Sequence, residues 1–149
     1  MKKYENIILN KFQTFDINSK NEAITSFKKL WNNENVYNKH IQKRLQMGHI
    51  KNEIDYVAKT LKCLAEAKEC LIAIYEDENI WNRIRYFDND EWLVIFSENG
   101  TLLTSHKKEE VEISFEDKHK KFGAKIKKGD ISDEFKRFFR KLRNEFRIF

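Results

Sequence analysis

Residues 80–106 constrain the fold more than any other part of the chain, because three short apolar runs are separated there by the turn-forming pairs Asn89-Asp90 and Asn99-Gly100. Runs over 81–87, 92–97 and 101–106 at this spacing predict consecutive antiparallel strands, and Asn-Gly in the second turn favours a two-residue connection. An apolar, partly β-branched stretch at 71–75 supplies a candidate first strand, which makes a four-stranded meander. Arg83 and Arg85 occupy alternate positions of the second strand and therefore share a face. With two-residue loops throughout, Ile84, Tyr86, Leu93, Ile95, Leu102, Thr104 and His106 fall on one side. Arg83, Arg85, Trp92, Val94, Phe96, Leu103 and Ser105 fall on the other. One extra residue in either turn would exchange some of these positions.

The flanks read as helices. Tyr4, Ile7, Ile8, Leu9, Phe12 and Phe15 form a helical stripe over 4–15, and Ala23, Ile24, Phe27, Leu30 and Trp31 form another after the turn residues at 16–19. A third helix runs from Val36 to Met47 with His40 and Arg44 four apart on one side, and Gly48 ends it. A fourth, 52–68, carries Ile54, Val57, Leu61 and Leu64 as one buried stripe. Residues 109–117 alternate weakly, and the Lys-rich run to Lys128 suits a loop or a short exposed helix. Asp130 or Ser132 can cap a last helix whose Phe135, Phe138, Phe139, Leu142 and Phe146 form a core stripe. The expected fold is α+β and a single domain over 1–149. N-terminal helices pack on one face of an antiparallel four-stranded meander, and a basic helix lies at the C-terminus.

Charge is unevenly spread. Residues 1–117 carry 17 Lys/Arg against 20 Asp/Glu, whereas residues 118–149 carry 12 against 4. The basic character is thus C-terminal, with Lys136, Arg137, Arg140 and Arg143 as candidate contacts for nucleic acid or an acidic protein. Other chemistries are disfavoured by spacing. The four glycines are scattered, which removes phosphate loops and dinucleotide fingerprints, and two cysteines cannot make a paired-cysteine zinc motif. No bound metal and no cofactor are expected. Cys63 and Cys70, seven apart on a helical reading, would stand about 10 Å apart, beyond disulfide reach, as reduced thiols do in cytosol. The absence of a long apolar run and of a signal-peptide pattern makes a soluble, cytoplasmic chain the expectation.

Metal-free cleavage of RNA fits what remains. That reaction needs a base for the 2′-hydroxyl proton, a donor for the leaving 5′-oxygen, and cations around a phosphorane that gains charge. Histidine suits the proton work and the arginine fork suits the phosphate. His40, Arg44, Arg83, Arg85, Thr104, Ser105 and His106 form a chemically sufficient set. Each has a structural alternative: an ion pair for Arg44, cross-strand pairing or stacking on Trp92 for Arg83 and Arg85, a helix-end role for His49, and a solvent-exposed position for His119.

The order His40-Ile-Gln-Lys-Arg44, Gly48-His49-Ile50, Asp55-Tyr56, Arg83-Ile-Arg85-Tyr86, Trp92-Leu-Val-Ile and Gly100-Thr-Leu-Leu-Thr104 resembles the barnase, EndoU, colicin D and RelE type of ribonuclease fold. The resemblance covers residues 36–106 and leaves 1–35 and 107–149 outside it. It implies His40 as general base or acid, Arg44 and Arg85 as phosphate ligands and Thr104 as a hydroxyl donor, with Arg83, Tyr86, Ser105 and His106 as further candidates. It also implies a toxin-type activity on tRNA or mRNA in bacterial cytoplasm, delivery there as the end of a larger secreted protein being one route. An acidic immunity or antitoxin protein would be the partner. The competing reading is a non-catalytic binding module that uses the basic C-terminal helix.

Overall fold

The computed structural model describes residues 2–109 and 112–147. Four helices come first: α1 (Lys2–Phe12), α2 (Lys20–Lys29), α3 (Glu34–Gln46) and α4 (Glu53–Ala65). Strands β1 (Glu69–Ile74), β2 (Arg83–Phe87), β3 (Trp92–Ser97) and β4 (Leu102–Lys107) follow as an antiparallel meander. Next come α5 (Phe115–Lys121), β5 (Lys125–Gly129) and α6 (Asp133–Phe146). β5 returns antiparallel beside β1, so the sheet has five strands in the order β4-β3-β2-β1-β5. Side-chain caps start four helices: Ser19, Asn33, Asn52 and Ser132 each accept a hydrogen bond from a backbone N–H three residues on, Ser132 being one of the two caps expected for the last.

One face of the sheet is closed by α1 to α4 and α6. Ile72, Ile84, Tyr86, Val94, Phe96 and Leu102 point into this layer and share its core with Phe12, Phe27, Tyr56 and Leu61. Tyr86 stacks on Phe135 at 4.8 Å, and Phe12 meets Phe139 edge-on at the same separation, so the first and last helices join one core. Most of its polar groups are matched, although the Trp31 indole N–H and the Tyr37 hydroxyl are buried without a hydrogen-bond partner among the described residues. The Ser105 hydroxyl takes the Trp92 indole N–H at 2.9 Å and meets the Thr60 hydroxyl at 2.6 Å, while the Tyr56 hydroxyl donates to the Ser105 carbonyl at 2.7 Å. Cys63 and Cys70 are free and buried here, and burial pushes the Cys70 thiol up to about 12.

The turns correct the expected faces. Both hairpins close with three-residue loops rather than two: Asp88 N–H bonds to the Trp92 carbonyl around Asn89-Asp90-Glu91, and Ser97 N–H bonds to the Thr101 carbonyl around Glu98-Asn99-Gly100. In each the third residue is left-handed, Glu91 at φ 62° and Gly100 at φ 88°. The extra residue after β2 brings Arg83 and Arg85 to the same face as Leu93 and Ile95. After β3, a bulge between Ile95 and Phe96 offsets the extra loop residue, so Thr104 and His106 stay with Ile95 and Leu93 while Leu102 turns inward with Phe96. Arg83, Arg85, Thr104 and His106 therefore share the second face, and Tyr86 and Ser105 do not.

That second face is only partly covered. α5 lies over its β1–β5 end, where Phe115 and Ala124 pack on Leu71 and Ala73. The β2–β4 end is open. At the β4 edge the segment after α2 docks on the strand, with Leu102 N–H donating to the Leu30 carbonyl at 2.8 Å, and this sets α3 beside β4. Among the described residues no helix is long and apolar enough to cross a membrane.

Candidate functional site

The three-residue turns, the docked β4 edge and the placement of α5 together leave a cavity of about 330 Å³ on the open face. Its floor is Arg83 and Arg85 from β2 with Thr104 and His106 from β4; His40 enters from α3 and His119 from α5. An adjoining cleft of about 370 Å³ shares His40, Thr104 and His106 and adds Arg44 one turn along α3. Residues far apart in the chain thus meet at one place: a helix residue, two alternate positions of one strand and two of another.

Arg44 is the most informative of them. It is 4% exposed, its Nε has no hydrogen-bond partner, and no ion pair holds it among the described residues. Burial pulls its pKa down, and Tyr56, Glu109 and Glu112 oppose this only through space. A buried guanidinium in that state costs several kcal/mol by ordinary solvation arguments, on the order of 3–5 when a partner is removed. An anion in the cleft would relieve it. Arg85 is different: it pairs with Glu69 on the neighbouring strand, its guanidinium sits over Phe87 and Phe115 at 5.1 and 5.8 Å, and its Nε is unpaired. Arg83 donates through Nη1 to the Trp81 carbonyl. Neither arginine stacks on Trp92, which faces the core.

Burial lowers the pKa of the imidazoles. Burial, then Arg44, His106 and Lys43, lower His40 to about 4; its ring lies 4.8 Å from Trp31. His106 is also lowered by burial, with Glu112 acting against the shift. Both His106 nitrogens are engaged, Nδ1 with the Thr104 hydroxyl at 2.8 Å and Nε2 with Glu112 at 3.1 Å, a carboxylate–imidazole–hydroxyl chain that ends in the cavity. His119 is nine-tenths buried rather than exposed, bonded through Nδ1 to the Tyr75 hydroxyl at 2.5 Å and lowered to about 4 by burial, then by Lys118 and Arg83. His49 stands outside this group and pairs with Glu109 at 2.9 Å.

Of the residues singled out from the sequence, His40, Arg83, Arg85, Thr104 and His106 line the cavity and Arg44 lines the adjoining cleft. Tyr86 and Ser105 are correctly placed in neither. They are 1% and 0% exposed and point into the helical layer, where Ser105 is a hydrogen-bonding hub. Lys136, Arg137, Arg140 and Arg143 lie on α6, across the sheet from the cavity, and Arg143 pairs with Glu66 at 3.4 Å. Glu112, His119 and Tyr75 were missed. For His119 a signal existed, since Ser114 caps α5 by accepting from Asp117 N–H, and Phe115 and His119 then fall four apart on one helix side. Among the described residues no group of three or more His, Cys, Asp or Glu side chains is arranged to hold a metal ion.

Fold and cavity together define a small α+β protein with a pocket lined by arginines and imidazoles on one sheet face. By sequence, the chain belongs to the family described as "Uncharacterised protein aq_aa01", whose model matches residues 19–147 and so takes in every cavity residue. The Aquifex aeolicus (strain VF5) protein of that name is 31% identical over 101 residues, 66% of this chain and 75% of the relative. No solved structure matches.

Proposed function

We propose that the protein is a metal-independent endoribonuclease that cleaves cellular RNA, of the tRNA or mRNA class, by attack of the 2′-hydroxyl on the adjacent phosphate. The observation that carries this reading is the buried, unpaired guanidinium of Arg44 in a cleft it shares with His40 and Thr104. Neutral His40 takes the 2′-hydroxyl proton as the new O2′–P bond forms. Arg44, Arg83 and Arg85 surround the phosphorane as its charge grows. The P–O5′ bond breaks, and the leaving oxygen takes the proton that His40 gained, with the Thr104 hydroxyl beside it as a hydrogen-bond donor and His106 holding that hydroxyl in place. The products are a 2′,3′-cyclic phosphate and a 5′-hydroxyl end. Two helices followed by a four-strand meander, with His40, Arg85 and Thr104 on one cavity, support the resemblance to the barnase, EndoU, colicin D and RelE type of nuclease.

This activity belongs in bacterial cytoplasm, and an acidic inhibitor protein laid over the open face would silence it by filling the arginine sites. The binding-module reading places the contact on α6, where Arg137 and Arg140 are exposed. Incubating the purified chain with total RNA in EDTA and mapping the new ends tests the proposal. Cyclic-phosphate ends, with the rate about 10²–10⁴-fold lower in His40→Ala, are expected. Intact RNA, 5′-phosphate ends, or a fully active His40→Ala chain would contradict it.

A further inference from the structure

We infer that a groove next to the cavity is a nucleobase subsite, in which a single-stranded nucleotide beside the scissile phosphate stacks its base on Trp81. This rests on the ribonuclease reading of the adjoining pocket and names what lies beyond its phosphate. The groove holds about 530 Å³ and shares two walls with the cavity, Arg83 and Leu103, so a chain held at the arginines continues directly into it.

Its chemistry suits a base rather than a second phosphate or a peptide. Trp81 is 49% exposed, whereas Trp31 and Trp92 are 4% and 6% exposed, so one indole alone of the three presents a face to solvent. Arg83 is the single charged residue in the lining, and no carboxylate is present. The polar groups are neutral amides and hydroxyls. Among the described residues the side-chain amides of Asn32 and Asn79 make no hydrogen bond, and Asn99 uses only Oδ1, accepting from Thr101 N–H at 3.1 Å and from the Ser97 hydroxyl. Such groups offer paired donors and acceptors of the kind a base edge needs. Arg83, whose Nη1 is tied to the Trp81 carbonyl, fixes the distance between the stacking platform and the phosphate side.

The test uses the whole chain and a 2′-O-methyl RNA tetranucleotide, which lacks the attacking hydroxyl and stays intact. Binding is read by anisotropy of a labelled tetranucleotide and by quenching of tryptophan emission. The tetranucleotide is expected to quench the exposed-indole emission; inorganic phosphate and a duplex of the same sequence are not. Trp81→Ala should weaken binding about 5–100-fold, the usual worth of one stacked base, while Trp81→Phe keeps most of the affinity. Trp81 lies in an exposed loop and its indole N–H bonds nothing, so both variants keep the fold. Equal binding by Trp81→Ala and wild type, or quenching matched by phosphate or duplex, overturns the subsite. RNA cleavage with unaltered binding in Trp81→Ala sinks the subsite and leaves the nuclease standing. Quenching by the tetranucleotide without RNA cleavage does the reverse.

Discussion

The two faces of the sheet use neighbouring residues for opposite ends. On the closed face most polar atoms are matched, as at Ser105, where Tyr56 and Thr60 of α4 and Trp92 of β3 converge. On the open face a buried arginine lacks a partner among the described residues, burial lowers the pKa of three imidazoles, and a carboxylate–imidazole–hydroxyl chain ends in a cavity. Apolar packing dominates one side, and charged and titratable groups gather on the other. Such strain persists only where the rest of the fold tolerates it, which is the common state of a functional site.

The comparison can be broken by substitutions matched across the sheet. Phe139→Ala on the closed face should cost about 3–5 kcal/mol in a urea titration, because the ring is fully buried against Phe12 and Phe135. Arg44→Met on the open side should behave inversely. Removing a buried unpaired charge leaves the urea midpoint unchanged or higher, while cleavage falls about 10²–10³-fold. A loss of stability comparable to Phe139→Ala would show that Arg44 is structural after all. Thr104 and Ser105 are adjacent and face opposite ways, so Thr104→Val should lower cleavage at nearly constant stability. Ser105→Ala should cost about 1–3 kcal/mol, by orphaning the Trp92 indole N–H, at nearly constant rate per folded molecule.

Protonation sharpens the contrast less strongly. His40 and His119 titrate near 4 in the folded chain against about 6.5 unfolded. Between those values the unfolded chain binds protons that the folded one refuses, so stability is full above pH 6.5 and declines as pH falls towards 4. Urea midpoints across that window should show the decline, and His40→Gln should flatten it. Smallest is Gly100→Ala, about 1–2 kcal/mol. Its left-handed φ disfavours an L residue, and the added methyl would meet Lys11 Cγ at 2.8 Å and Ile7 Cγ2 at 3.1 Å.

What the sequence made legible follows the apolar periodicity. α1 to α4 and α6 each bury one stripe, and β1 to β3 are short runs buried on both faces; both patterns are visible in the residues themselves. β5 has neither: Lys125, Lys127 and Lys128 are exposed, and the segment is a strand because β1 offers it a free edge. The faces failed for a local reason. Glu91 takes a left-handed conformation that glycine or asparagine usually marks, so nothing in Asn89-Asp90-Glu91 announced a third loop residue, and one residue exchanges every side chain beyond it. The site residues His40, Arg85 and Thr104 were readable by chemical type. Glu112 and His119 depend on how 112–119 lies over the sheet, and no periodic pattern records that.

Imidazole proton and nitrogen resonances, followed through a pH titration with and without the 2′-O-methyl tetranucleotide, test the central claim most directly. The account predicts that His40 titrates near 4 in the free chain, moves upward when the phosphodiester binds, and ceases to respond in Arg44→Met. A His40 that titrates near 6.5 and is indifferent to the oligonucleotide would contradict it.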